Sequence, residues 1–311
     1  MTYTVQNNPL KPKRSSEELD SLLSDIALFF DVGKILFYEQ LNDSENYYVE
    51  TEDLSRVFKI IGKQTEESIG SEIEYIEKLK KENFSIIQWK KLDNYYYKIP
   101  FSSSFAVCLT YVAKHRSSSL ENLSYLSRFL KLHGMDCSLR ARHSRFDHGH
   151  LDRELKRIEI DYPEEFEKYS SVASALSIRD WKSFRHSVVH GDLHFNNCLF
   201  TDDDRFVVLD RDEVALAPCL LDLALSINYC CFPDKRLDRM FLRSFLSSYE
   251  HQRKLLCVEK ESLLDAMKYT ALVFSCRLLS FGNSSEEKSK LFFRNYYWIK
   301  YGQIDSIDDC F

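Results

Sequence analysis

The sequence predicts an α+β protein of two lobes, a small antiparallel sheet followed by a larger and mostly helical part. Three observations lead there. A chain of 311 residues with 44% hydrophobic content is long enough for two modest cores. Between residues 34 and 112 short β-branched or aromatic runs alternate with polar turns. After residue 112 the apolar positions recur at helical spacing, broken only by one stretch in which two short apolar runs flank a polar loop.

Residues 1–15 are polar, with two prolines and a small basic group, and are expected to form a flexible N-terminal tail. In "SSEELDSLLSDIALFF" a helix begins at a Ser cap, with Leu19, Leu22, Leu23, Ile26 and Phe29 as its apolar positions. The strands are "KILFYEQL", "NYYVET", "RVFKII", "FSIIQWKKL", "NYYYKI" and "FAVCLTYV". One helix interrupts them, "TEESIGSEIEYIEKLKKEN", whose Ile69, Ile73, Ile76 and Leu79 line one face while Glu and Lys cover the other. The expected organisation is therefore a 1–15 tail, a 16–111 N-lobe of sheet plus helix, and a 112–311 helical C-lobe. In the C-lobe, "LENLSYLSRFLKLH" puts Leu123, Leu126, Leu130 and His133 on one side, and 151–186 is charged with helical tendency. Beyond Pro218, three segments return to helical periodicity: "CLLDLALSINYCCF", "LDRMFLRSFLSSYEHQRKLL" and "ESLLDAMKYTALVFSCRLLSF".

Composition excludes several classes. Lys and Arg number 42 against 48 Asp and Glu, so there is no basic surplus of the kind that binds nucleic acid without sequence preference. Nine cysteines, with no CxxC pair, read as reduced and buried small hydrophobes. The N-terminus has no apolar leader core and no run approaches a membrane span, which predicts a cytoplasmic protein with no membrane association.

The chemistry concentrates in "VVHGDLHFNNCLFTDDDRFVVLD", residues 188–210. "SVV" enters as a strand, "HGDLHFNN" forms a polar loop, "CLF" leaves as a strand, "TDDD" turns, and "RFVVLD" returns antiparallel. Such a hairpin brings Asp210 back beside the loop that carries Asp192 and Asn197. Two carboxylates and a carboxamide there suit a divalent cation with hard oxygen ligands, as Mg²⁺ prefers when it also binds nucleotide phosphates. Asp192 can stand apart from the metal and accept the proton of an attacking hydroxyl. These are the parts that phosphoryl transfer requires.

"HGDLHFNN", then "VVLD", then "LLDLA" resemble the catalytic core of the aminoglycoside phosphotransferase and choline kinase-like superfamily, relatives of the protein kinases. Within it, "DLALSINYCCF" with the helices that follow looks most like the homoserine kinase branch. The resemblance implies a protein-kinase-like fold and an ATP- and Mg²⁺-dependent kinase. It implies that Asp192 is the catalytic base, Asn197 a metal ligand, and Asp210 the principal Mg²⁺ ligand in the place protein kinases give to D-F-G. It makes Asp222 a structural acid bracing the loop and His190 a hydrogen-bonding scaffold.

The same template applied to the N-lobe points to Lys59 on the third strand and Glu72 on the following helix, the pair that orders the α- and β-phosphates. Lys63 falls past the strand, and Glu74 lies about 200° round the helix from Glu72. "TYVA", residues 110–113, is the expected hinge where adenine meets the backbone of Thr110 and Val112. Two departures stand out. "EQLNDSENYY" has no glycine to form a phosphate cradle, leaving Ser44 and Asn46 to supply polar contacts. "LDRDEV" lacks the aromatic that homoserine kinases tend to have after the metal aspartate, and adds Asp212.

Other features have plainer readings. "RHSRFDHGHLD" gathers His143, Asp147, His148 and His150, but its spacing matches no zinc pattern and a solvated loop or helix start is favoured. "TDDDR" is a hairpin tip, and His194 is as readily structural as it is a contact to phosphate or substrate. The resulting expectation is a kinase acting on a hydroxyl of a small, amine-bearing molecule of homoserine, aminoglycoside or choline type. Asp212 and Glu213 supply negative charge suited to such an acceptor. The rivals are a protein Ser/Thr kinase of the stress-response type and a nucleotide-binding pseudokinase.

Overall fold

The computed structural model describes residues 15–41, 45–52, 54–62, 66–81, 95–100, 102, 104–110, 130, 133, 149–176, 183–200, 206–209, 213–281, 296–297, 300–302 and 304–311. The chain divides into two compact units, Met1–His115 with Thr201–Val208, and Arg116–Phe200 with Leu209–Phe311.

The first unit opens with α1 (Ser16–Phe29), whose start is set by a reciprocal capping box. The Ser15 side chain accepts the Glu18 N–H at 3.3 Å, and the Glu18 carboxylate accepts the Ser15 N–H at 2.9 Å. Five antiparallel strands follow, β1 (Ile35–Gln40), β2 (Asn46–Thr51), β3 (Ser55–Ile61), β4 (Tyr97–Lys98) and β5 (Phe105–Thr110), in the order β1-β2-β3-β5-β4. Leu23, Ile26 and Phe30 pack on one face of this sheet with Tyr47, Val49, Phe58, Ile60, Ala106 and Cys108. Each such fully buried Leu, Ile or Phe contributes about 1.5–3 kcal/mol. Because side chains alternate along a strand, Lys59 lies on the opposite face, with Ile61, Phe105 and Val107.

Helix α2 (Glu66–Lys81) stands after β3, but its buried stripe is rotated from the expected one. Ile69, Glu72, Tyr75, Ile76 and Leu79 are buried, whereas Ile73 is only half-buried. At about 100° per residue the centre of that stripe falls on Glu72, so the carboxylate lies in the apolar face rather than beside it. The expected strand "FSIIQWKKL" lies outside the described residues, and "NYYYKI" contributes only the two residues of β4.

The second unit contains α3 (His150–Ile158), α4 (Pro163–Ala175), β6 (His186–Val189), β7 (Cys198–Phe200), β9 (Ala215–Pro218), α5 (Cys219–Cys230), α6 (Arg239–Gln252) and α7 (Cys257–Phe281); β8 (Phe206–Val208) belongs to the first. The sequence reading missed β9. "ALAP" is four residues long, holds two alanines and ends in proline, so neither propensity nor alternation marks it as a strand. It forms an antiparallel pair with β6, from His186 opposite Pro218 to Val189 opposite Ala215.

Helix α5 is buried at every position except Tyr229, as a helix apolar all round must be. It packs against α7, where the Asn228 side chain donates to the Met267 carbonyl and the Thr270 hydroxyl, each at 2.8 Å. Cysteines 108, 198, 219, 230, 231, 276 and 310 are buried and form no disulfide, but Cys257, at the start of α7, is exposed, against the expectation of uniform burial. Cys137 lies outside the described residues. Among the described residues no helix is long and apolar enough to cross a membrane.

Candidate active site

Strand β6 ends in Val188 and Val189, both fully buried, and the chain then turns sharply at Gly191. Gly191 has φ +79, and a Cβ there would stand 2.5 Å from the Glu213 carbonyl oxygen. Only glycine satisfies both the left-handed backbone and the close approach of the 213 segment. Leu193, fully buried, anchors the loop from beneath, and a single 3₁₀ turn at Phe195–Asn197 leads into β7.

Asp222, fully buried on α5, ties down the loop's first two amides. Its Oδ2 accepts the His190 N–H at 2.9 Å and its Oδ1 the Gly191 N–H at 2.8 Å. Oδ2 also takes a hydrogen bond from His133 Nε2 at 3.0 Å. Burial alone pushes this carboxyl up, but the hydrogen bonds from His133 and from the His190 N–H outweigh it and leave Asp222 below the ordinary value. His133 is driven down by burial despite its bond to Asp222, so the imidazole is neutral at pH 7.

His190, also fully buried, bridges two segments. Its Nδ1 accepts the Asp192 N–H at 3.2 Å, which leaves Nε2–H to donate to the Leu209 carbonyl at 3.1 Å. The Leu209 N–H in turn donates to the Asn197 carbonyl at 2.8 Å. The residue immediately before position 210 is thus fastened to the loop on both its backbone groups. Asp210, Asp212, Ser44 and Val112 lie outside the described residues.

Asn197 donates both side-chain N–H groups to Asp192, to its carbonyl at 2.8 Å and to its carboxylate Oδ2 at 3.0 Å. The carboxamide oxygen is a hard oxygen donor of the type that Mg²⁺ takes. The Asp192 side chain keeps about a quarter of its exposure, 24%, and His194 Nε2 stands 3.5 Å from its Oδ2. The His194 ring lies on Tyr229, centroids 4.4 Å apart. Tyr229 continues to Phe274 at 5.5 Å and Phe274 to Tyr296 at 4.8 Å, an aromatic series beginning beside the exposed carboxylate.

Glu213 stands 4.0 Å from the Arg277 guanidinium, with both side chains about one-third exposed. His150 is the first residue of α3, and the other members of its His/Asp group lie outside the described residues. Among the described residues no three His, Cys, Asp or Glu side chains stand together as metal ligands.

In the first unit, the register sets Asn46 at the start of β2 opposite Lys59 on β3, and Thr110 at the end of β5 opposite Arg56. Glu72 is 4% exposed. The sequence reading placed His133 on an apolar helix face and gave Tyr249 no role. The available signal was a histidine in a leucine stripe, since a polar ring buried there needs a partner.

A family model described as the phosphotransferase enzyme family matches residues 34–256. Solved structures with the same fold include choline kinase LicA from Streptococcus pneumoniae, at TM-score 0.65 and 16% identity, covering 89% of this chain and 97% of that one. Amicoumacin kinase hAmiN, in complex with AMP-PNP, Ca²⁺ and Ami, is similar at TM-score 0.67 and 13% identity, covering 92% and 96%. Spectinomycin phosphotransferase, in its AMP-bound complex, is similar at TM-score 0.66 and 12% identity, covering 90% and 97%. No curated protein matches the sequence.

Proposed function

Because the chain belongs to the phosphotransferase enzyme family, we propose that it transfers the γ-phosphoryl group of ATP, with Mg²⁺, to a hydroxyl of a small, amine-bearing molecule. The observation that carries this reading is the Asp192–Asn197 pair, a partly exposed carboxylate steadied by a carboxamide whose oxygen remains for a cation. Asp192 orients the acceptor hydroxyl and takes its proton as the oxygen attacks phosphorus. Asn197, with Asp210, holds the metal, which when bound neutralises charge on the β- and γ-phosphate oxygens. Lys59, braced by Glu72, positions the α- and β-phosphates, Ser44 and Asn46 contact the triphosphate, and the 110–112 backbone meets the adenine. Asp222 and His190 act on the loop, not on the substrate.

The amine-bearing acceptor is supported by the aromatic series from His194 through Tyr229 to Phe274, since ring faces attract cations. Choline, named for the LicA structure, is one such cationic alcohol, and homoserine and aminoglycosides are others. The test is ADP release with MgATP across homoserine, choline, aminoglycosides, aminosugars and a generic protein. One small amine-bearing alcohol that raises ADP release and is recovered phosphorylated supports the reading. Turnover with the protein alone moves it to a protein kinase, and nucleotide binding with no transfer to any acceptor moves it to a pseudokinase.

A further inference from the structure

The contacts of Asp222 do not stop at His133. The Nδ1 of His133 lies 3.0 Å from the hydroxyl of Tyr249, a fully buried residue of α6. One turn on, Arg253 Nη1 donates to that same hydroxyl oxygen at 2.7 Å. Arg253 is anchored by Glu259 of α7, which accepts from its Nη2 at 3.2 Å. Glu259 is fully buried and also accepts the Leu256 N–H at 2.9 Å and Arg185 Nε at 3.1 Å, with a second bond from Arg185 Nη2. Arg185 immediately precedes β6, the strand that delivers the loop.

Donor chemistry gives this chain one direction. A guanidinium only donates, so the Tyr249 oxygen accepts from Arg253 and its proton is left for His133 Nδ1. With Nδ1 accepting, the neutral ring carries its proton on Nε2, facing the Asp222 carboxylate. That carboxylate is then free to accept from the loop amides on its remaining lone pairs. Had Nδ1 carried the proton, Nε2 and Asp222 Oδ2 would meet as two acceptors 3.0 Å apart.

We propose that Tyr249 is a positioning residue for the reaction: held by Arg253 and Glu259, it fixes the His133 tautomer that donates to Asp222, and through Asp222 it sets the loop that carries Asp192. The inference rests on the phosphotransferase reading for its catalytic consequence, while its structural link can be read without turnover.

The experiment is Tyr249→Phe in the full chain, which keeps the ring and removes the hydroxyl. Expected are a kcat at least tenfold lower, KM values for ATP and acceptor within twofold, and amide hydrogen exchange at His190 and Gly191 at least tenfold faster while Val188 and Val189 are unchanged. In the wild type, ring-nitrogen NMR is expected to show His133 neutral with its proton on Nε2. Unchanged exchange at His190 and Gly191, exchange rising equally through β6, or a proton on Nδ1 in the wild type overturns the proposal. If the wild-type chain phosphorylates no alcohol yet the two amides still respond, the phosphotransferase reading fails and the link from Tyr249 to the loop stands.

Discussion

The side-chain amide of Asn197 donates at once to the carbonyl and the carboxylate of Asp192, at 2.8 and 3.0 Å. One residue therefore steadies the proposed base, and its carboxamide oxygen is the proposed donor to the cation. Asn197→Ala is expected to remove both, lowering kcat and raising the Mg²⁺ concentration for half-maximal rate about tenfold or more. Mg²⁺ titrations of ADP release for the two proteins check this; an unchanged Mg²⁺ requirement contradicts the metal role.

Gly191→Ala meets two penalties, the left-handed φ of +79 and a Cβ 2.5 Å from the Glu213 carbonyl oxygen. Backbone strain of this kind costs about 1–3 kcal/mol. The variant is expected to unfold at lower urea concentration and to lose activity beyond that loss of stability, because relief of the contact must shift the loop or the 213 segment. Wild-type kcat in the folded variant contradicts this account.

Glu259 is held below the ordinary carboxylate value: burial raises it, but the hydrogen bond from Arg185, the Leu256 N–H and the charge of Arg253 outweigh that. The unfolded chain thus takes up its proton first as pH falls, near the usual value of about 4.3. Stability from Glu259 is therefore present above that pH and lost as pH drops through the lower folded value. Glu259→Gln leaves Arg253 without its charge partner and is expected to cost about 3 kcal/mol at pH 7. Urea midpoints between pH 3 and 7 should show the two proteins converging on acidification; a constant gap contradicts the assignment.

Ser15→Ala is the contrasting case. It removes the α1 cap, far in sequence from the loop, and is expected to cost about 1 kcal/mol with kcat and KM unchanged. Thermal unfolding and ADP release measure the two effects separately.

What the sequence made legible was local. The Ser cap of α1, the β-branched and aromatic runs of β2, β3 and β5, and the "HGDLHFNN" loop each carry their signal within a few residues. The rotated face of α2 was misread because Glu72 was counted among the polar residues, although its burial centres the stripe. Strand β9 escaped because its pairing with β6 joins segments nearly thirty residues apart and leaves no propensity behind. The relay from Arg253 to Asp222 spans α6, α5 and residue 133, and long-range hydrogen bonds of that kind have no spacing to read.

The most direct test of the central claim is Asp192→Asn beside the wild type, assayed for MgATP-dependent phosphorylation of the best small-molecule alcohol by mass spectrometry, with ATP affinity measured in parallel. The account predicts a kcat lower by about 10²–10⁴-fold with ATP affinity unchanged, since the variant keeps the shape of the residue but cannot take the proton. Phosphorylated acceptor formed at the wild-type rate by Asp192→Asn would contradict it.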